Sequence, residues 1–171
     1  MYNFEFVRPS NVAEAVAVLK SEEAKVLGGV QTLIPTMKQR LASPGKLVSL
    51  SGVSEMQGVN ISENVVIIGG ATTHANVASA NTFAGLTELA GRIGDPAVRN
   101  RGTIGGSLAN NDPAACYPAA ALATDATIVT NDREIAADDF FQGMFATALE
   151  EVEIITAVHI PIPMASNYQK V

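Results

Sequence analysis

The chain has 171 residues, 47% of them hydrophobic and 16% charged, which is enough apolar material for one globular domain or two small lobes. A formal net charge of −6 and a sequence pI of about 4.8 exclude the clustered basic surface that nucleic acid demands, and few aromatics and no Trp leave no base-stacking platform. The single cysteine, Cys116, can neither close an internal disulfide nor hold an iron–sulfur cluster; with no apolar run of membrane-spanning length and no signal-like opening, a reducing cytoplasm is the expected compartment.

Residues 2–7 alternate apolar and polar and predict a short strand. Ser10 or Asn11 can cap a helix over 12–20, whose Ala15, Val16 and Leu19 share one face. Residues 25–27 form a short buried strand that runs into Gly28-Gly29-Val30-Gln31-Thr32 and then a helix over 33–41, with Pro35 in its first turn. A strand passing through a glycine turn into a helix start aims several N–H groups at one spot, where a phosphate would sit. A strand over 46–50 completes a small parallel α/β lobe spanning 1–54. The second lobe, 55–171, begins with strands over 58–61 and 64–68 across a turn at Ser62 and Glu63. Gly69-Gly70-Ala71-Thr72-Thr73 follows, with Thr73 or Asn76 capping a short helix. A helix over 83–93 offers Ala84, Leu86, Leu89, Ala90 and Ile93 for burial.

The stretch 91–118 is read as a glycine-rich loop centred on Thr103-Ile104-Gly105-Gly106-Ser107. Its paired glycines between hydroxyl residues predict a second anion-binding nest of main-chain N–H groups. Asn110, Asn111 and Asp112 supply short polar side chains for turns or hydrogen bonds. An Ala-rich helix over 118–124, strands over 126–130 and 133–136, a helix start over 137–141 capped by Asp138, and a long strand over 153–160 ended by Pro161 and Pro163 complete the chain.

None of the glycine pairs fits a P-loop or the G-x-G-x-x-G fingerprint, so a bound nucleotide is held in another way. His74, expected to cap or to face solvent, and His159, in a strand, have no metal-ligand spacing. Cys116 reads as a small, partly buried residue rather than a nucleophile, since no histidine accompanies it. Asp95 and Asp112 read as turn residues. Arg99 and Arg101 either face a phosphate or form exposed ion pairs. No catalytic residue and no metal site emerges.

The ordered set Gly28-Gly29-Val30-Gln31-Thr32-Leu33-Ile34-Pro35, Ile68-Gly69-Gly70-Ala71-Thr72-Thr73, Arg99-Asn100-Arg101-Gly102-Thr103-Ile104-Gly105-Gly106-Ser107 and Asp112-Pro113-Ala114-Ala115 resembles the FAD-binding medium subunit of molybdenum hydroxylases. Carbon monoxide dehydrogenase and the flavin part of xanthine dehydrogenase are examples. The resemblance covers essentially the whole chain, and R-N-x-G-T-I-G-G is its most specific phrase. It implies an α+β fold, the two-lobed FAD-binding fold of the vanillyl-alcohol oxidase/MurB/xanthine dehydrogenase flavin-domain type. It implies FAD extended between the lobes, with Gly28, Gly29, Val30, Gln31 and Thr32 as the first pyrophosphate loop and Leu33 among the cofactor-binding residues. Thr103, Ile104, Gly105, Gly106 and Ser107 would be the second loop. Thr72 and Thr73 would line the cleft, Asn110 and Asp112 would reach the flavin or ribitol end, Cys116 would be among the cofactor-binding residues, and Ile155 (beside Ile154) and Lys170 would approach the ring. The implied partners are a large molybdopterin-binding subunit and a small [2Fe-2S] subunit, in a heterotrimer that dimerises.

The sequence departs from that pattern in three places. Val30 stands where such proteins have a glycine; a left-handed valine costs about 1–2 kcal/mol, so a modified loop geometry is expected. Cys116 stands where an aspartate is common. The chain ends at Val171, where such proteins enter a further domain, so a fragment or a flavin site lacking one wall is expected. The alternatives are a flavin oxidase acting alone, an assembly or binding module without FAD, and a nucleotide-sensing regulatory domain.

Overall fold

The structure is a computed structural model that describes residues 1–21 and 23–170. Strand β1 (Glu5–Val7) leads to α1 (Val12–Leu19), where Asn11 caps by accepting from the Glu14 N–H. Strand β2 (Ala24–Leu27), helix α2 (Leu33–Lys38) and strand β3 (Lys46–Ser49) follow, and the strands form a parallel sheet in the order β1-β3-β2. The two-residue period of a strand sends neighbouring side chains to opposite faces. Leu47 accordingly packs with Leu27 and Met37 of α2, while Val48 packs with Ala15 and Leu19 of α1. The parallel strands with α2 between them match the α/β reading; α2 stops three residues short of the expected 41.

Two 3-10 turns, Leu50–Gly52 and Ser54–Met56, lead to a five-stranded sheet. Its strands are β4 (Val59–Ser62), β5 (Val65–Gly69), β6 (Thr127–Thr130), β7 (Glu134–Ala136) and, last in sequence, β10 (Ile155–Pro161), in the order β4-β5-β10-β6-β7. The β4–β5 hairpin turns on Glu63, at φ +55. Between β5 and β6 run α3 (His74–Ser79), α4 (Ala84–Gly91), α5 (Pro96–Arg99), α6 (Ile104–Asn110) and α7 (Cys116–Ala123). Thr73, not Asn76, caps α3, accepting from the Asn76 N–H. Helix α4 buries Leu86, Leu89 and Ala90, while Ala84 stays exposed and Ile93 half-buried. The main core joins this sheet to the helices through Ile68, Leu86, Leu108, Tyr117, Ile128, Phe140 and Val158.

Three local expectations need correction. The stretch 91–118 is not one loop: it contains α5, capped by Asp95, and α6, capped by Thr103. Helix α8 (Ala137–Phe140) has Ala136 at its N-cap position and no side-chain cap, so Asp138 lies inside the first turn. A small antiparallel pair, β8 (Phe141–Gly143) with β9 (Ala146–Thr147), was not anticipated; the Asn111 side chain straps it by donating to the Gly143 and Ala146 carbonyls at 2.7 and 2.8 Å.

Candidate cofactor site

The two glycine loops meet. A methyl group at Gly29 would fall against the Gly102 Cα, 2.6 Å from the Arg101 carbonyl oxygen and 2.7 Å from the Thr103 nitrogen. One at Gly105 would lie 2.5 Å from the Gly70 carbonyl oxygen. These backbones approach closer than any side chain allows, which is why both positions are glycine. The contact forms one end of a cleft of about 670 Å³ between the two sheets.

The first loop leaves its donors free. Among the described residues, no hydrogen bond engages the backbone N–H of Gly28, Gly29, Val30, Gln31, Thr32 or Leu33. The Gln31 amide braces the turn by donating to the Gly29 carbonyl at 3.1 Å. Val30 sits at φ +62, the left-handed region, so the loop keeps the shape a glycine would give it. The expected modified geometry is thus corrected. The strain of about 1–2 kcal/mol is offset by packing of the half-buried Val30 on the Leu27, Met37 and Leu47 cluster.

The second loop does not form the predicted nest. The Ile104 N–H donates to the Thr72 carbonyl at 3.1 Å, Gly105 to Gly70 at 2.9 Å and Ser107 to Thr103 at 3.0 Å, while Gly106 donates to the Thr103 hydroxyl at 3.1 Å. The start of α6 consumes its own amides. It offers the cleft close backbone approach and the Ser107 side chain instead. Segment 70–74 locks this wall in place, because the His74 N–H also donates to the Gly102 carbonyl at 2.9 Å and Thr73 bridges Thr103. The Gly70 N–H donates to the Thr156 carbonyl of β10 at 2.8 Å. A register shift between Ile155 and Ala157 in the β10–β6 pairing turns the start of β10 toward the cleft, as bulges do.

Of the residues singled out in the sequence, Gly28, Gly29, Val30, Gln31, Thr32, Leu33, Thr103, Gly105, Gly106, Ser107, Asn110, Asp112 and Ile155 line this one cleft, together with Ile154. Five others stand apart from it. The Thr72 hydroxyl exchanges hydrogen bonds with the Gly58 N–H and carbonyl at 2.9 and 3.0 Å. Thr73 is the α3 cap, and Ile104 belongs to the main core. Cys116 is half-buried and accepts from the Tyr168 hydroxyl at 3.0 Å. Lys170 reaches the Arg92 carbonyl at 3.5 Å beside α4. Among the described residues Arg99 neither lines the cleft nor forms an ion pair; it donates to the Ile93 and Gly94 carbonyls at 3.1 and 2.8 Å. Asp112 accepts from the Ala114 N–H at 2.9 Å, as a turn residue does.

Sequence reasoning missed His74 and the Glu150–Glu153 segment. His74 is 5% exposed rather than facing solvent. It lines the cleft, packs against Gly102 and lies 5.4 Å from the Tyr117 ring. Burial alone lowers its pKa to about 4, and its buried Nδ1 has no partner among the described residues. Its place directly after Thr72-Thr73, at the first position of a helix, was the available signal. On the opposite lip, Glu153 binds the Arg133 Nε at 2.9 Å, the Thr130 hydroxyl at 2.8 Å and the Glu150 N–H at 2.9 Å. The Arg133 guanidinium is the main cause that holds its carboxyl down at about 2.

A parallel three-stranded sheet and an antiparallel five-stranded sheet flanking a glycine-lined cleft with free amides define an α+β protein built to hold an extended anionic cofactor. The chain belongs to the family described as the FAD binding domain in molybdopterin dehydrogenase, whose model matches residues 2–163. It is 40% identical to the carbon monoxide dehydrogenase medium chain of Afipia carboxidovorans, over 94% of this chain and 59% of that one. It is 34% identical to the glyceraldehyde dehydrogenase medium chain of Sulfolobus acidocaldarius, over 93% and 60%. Among solved structures, carbon monoxide dehydrogenase from Hydrogenophaga pseudoflava superposes with a TM-score of 0.91 at 37% identity, over 96% of this chain and 61% of that one. Quinoline 2-oxidoreductase from Pseudomonas putida 86 gives 0.90 at 33% identity, over 95% and 60%. The chain therefore spans about three fifths of the length of these relatives. FAD is the cofactor of this family. Among the described residues, no helix is long and apolar enough to cross a membrane, and no cluster of His, Cys, Asp and Glu could hold a metal ion.

Proposed function

We propose that this chain is the FAD-binding, electron-transfer part of a molybdenum hydroxylase. The observation that carries the reading is the row of unpaired amides at 28–33, closed against the backbone of 102–106 inside one cleft. Two phosphates need several donors and little side-chain bulk, and this end of the cleft supplies both. FAD, when bound, supplies the acceptance and release of electrons. The chain's own task is to hold and orient it. The first loop grips the diphosphate, Thr103 and Ser107 shape the facing wall, and Ile154 and Ile155 form an apolar surface that excludes water. Two of the cleft's carboxylates are already engaged within the protein. Glu153 is tied up by Arg133, and Asp112 by its own turn.

In this reading residues 1–54 and 55–171 are the two lobes that grip the cofactor. Electrons arrive from the iron–sulfur clusters of a small [2Fe-2S] subunit, after substrate oxidation at a large molybdopterin-binding subunit. The three form a heterotrimer that dimerises in the cytoplasm, where the one free cysteine stays reduced. The relatives named medium chain or subunit support a multi-subunit setting. The test is a titration of the purified chain with FAD, followed by quenching of flavin fluorescence. Saturable binding at one site per chain is expected, and absence of uptake refutes the reading. Co-expression with both partner subunits should yield a yellow complex that transfers electrons to an artificial acceptor.

A further inference from the structure

We propose that Val30 is a positioning residue that sets the first glycine loop in its ligand-binding shape before the cofactor arrives. The inference rests on the FAD reading above. A β-branched residue at φ +62 is a backbone outlier, and such strain persists only where the surroundings over-determine it. Here they do. The Val30 side chain is anchored on the cluster of Leu27, Met37 and Leu47, which join β2, α2 and β3. Gln31 ties the turn to the Gly29 carbonyl, and Leu27 and Leu33 fix its two ends in regular structure. A glycine at position 30 could leave the left-handed region at no cost and scatter the N–H groups on either side.

The strain is present in both the free and the liganded protein, so it cancels from the binding equilibrium. What remains is a loop that does not have to be ordered when the ligand arrives, and that raises affinity. Position 30 therefore balances strain against packing and leaves a prepared site.

The experiment uses protein stripped of flavin, with FAD itself as the probe. Val30→Gly should bind FAD roughly five- to tenfold more weakly, with a melting temperature in the free state shifted by no more than a few degrees, because strain relief and lost packing oppose each other. Val30→Ala keeps the left-handed penalty without the anchor and should weaken binding at least as much. Val30→Asn, which favours the left-handed region, should recover most of the affinity. Backbone NMR of the flavin-free wild type should already report positive φ at Val30. The proposal is overturned if Val30→Gly binds FAD as tightly as wild type, if Asn is no better than Ala, or if Val30 is extended in the free protein. Failure of the wild type to take up FAD would instead refute the cofactor reading on which the proposal stands.

Discussion

Replacing Gly29 with alanine should force the two walls of the cleft apart. At an ordinary position with negative φ, Gly→Ala stabilises a protein by about 0.4–1 kcal/mol through the unfolded chain. Here the added methyl would meet three backbone atoms of residues 101–103, two of them at 2.6 and 2.7 Å. None of the three can rotate away, so the loops must separate by about 1 Å to restore van der Waals distance. Overpacking of that kind costs about 1–3 kcal/mol, a factor of about 5–150 in an equilibrium constant. The cost should fall on both the melting temperature of the free protein and the FAD dissociation constant, measured by thermal circular dichroism and by flavin fluorescence quenching. Gly91→Ala is the control: it closes α4, is exposed, and a methyl there meets nothing nearer than the Ala78 Cβ at 4.0 Å. It should raise stability by about 0.5–1 kcal/mol and leave FAD affinity unchanged. A Gly29→Ala protein as stable as wild type, with undiminished affinity, would show that the loops do not touch and would undo the description of the site.

Three further outcomes follow from the same geometry. His74 has a folded pKa of about 4, below its value in an unfolded chain, so the unfolded state binds the proton more readily; stability should fall as pH drops from about 6.5 to 4, by about 3 kcal/mol in all, and His74→Phe should flatten that slope in urea titrations at stepped pH. Glu153, held down at about 2, stabilises the fold above pH 4.5 and loses that contribution as pH falls toward 2. Arg133 is partly exposed, so Glu153→Gln should cost a discounted ~2 kcal/mol at pH 7 and much less near pH 2, read by chemical denaturation at both. Asn111→Ala removes two strapping hydrogen bonds and places alanine at φ +42, which should cost about 2–3 kcal/mol and accelerate amide exchange across 141–147, whereas a variant whose exchange there is unchanged would show that the strap is idle.

The β2–α2–β3 unit and the long strand β10 were legible because their apolar runs and periodicity are strong and their breaks are marked by glycine or proline. The close partnership of loops 28–32 and 103–107 was legible through shared composition and the family resemblance but not from local pattern, since nothing local says that Gly29 and Gly102 touch. Helix α6 was misread for a physical reason. Gly105 and Gly106 each lower helix propensity by about 1 kcal/mol, so the stretch looks like a loop. The fold overrides this with the Thr103 cap and with the approach to Gly70, which no residue larger than glycine permits at position 105. The β8–β9 pair escaped because its turn relies on Gly143 at φ +140 and Phe145 at φ +56, and its support comes from Asn111, 32 and 35 residues back along the chain. His74 escaped because burial is a property of its neighbours.

The contrast between the glycine loops makes the cleft mechanically lopsided. One jaw, 70–74 with 102–107, is stitched by main-chain bonds whether or not anything lies between the jaws. The other, 28–33, has main-chain hydrogens that nothing among the described residues holds. Loading the cofactor should therefore leave a one-sided footprint in deuterium exchange, slowing 28–33 strongly and 70–74 with 102–107 hardly at all. Loss of the cofactor in an ageing preparation would show first at the end of β2.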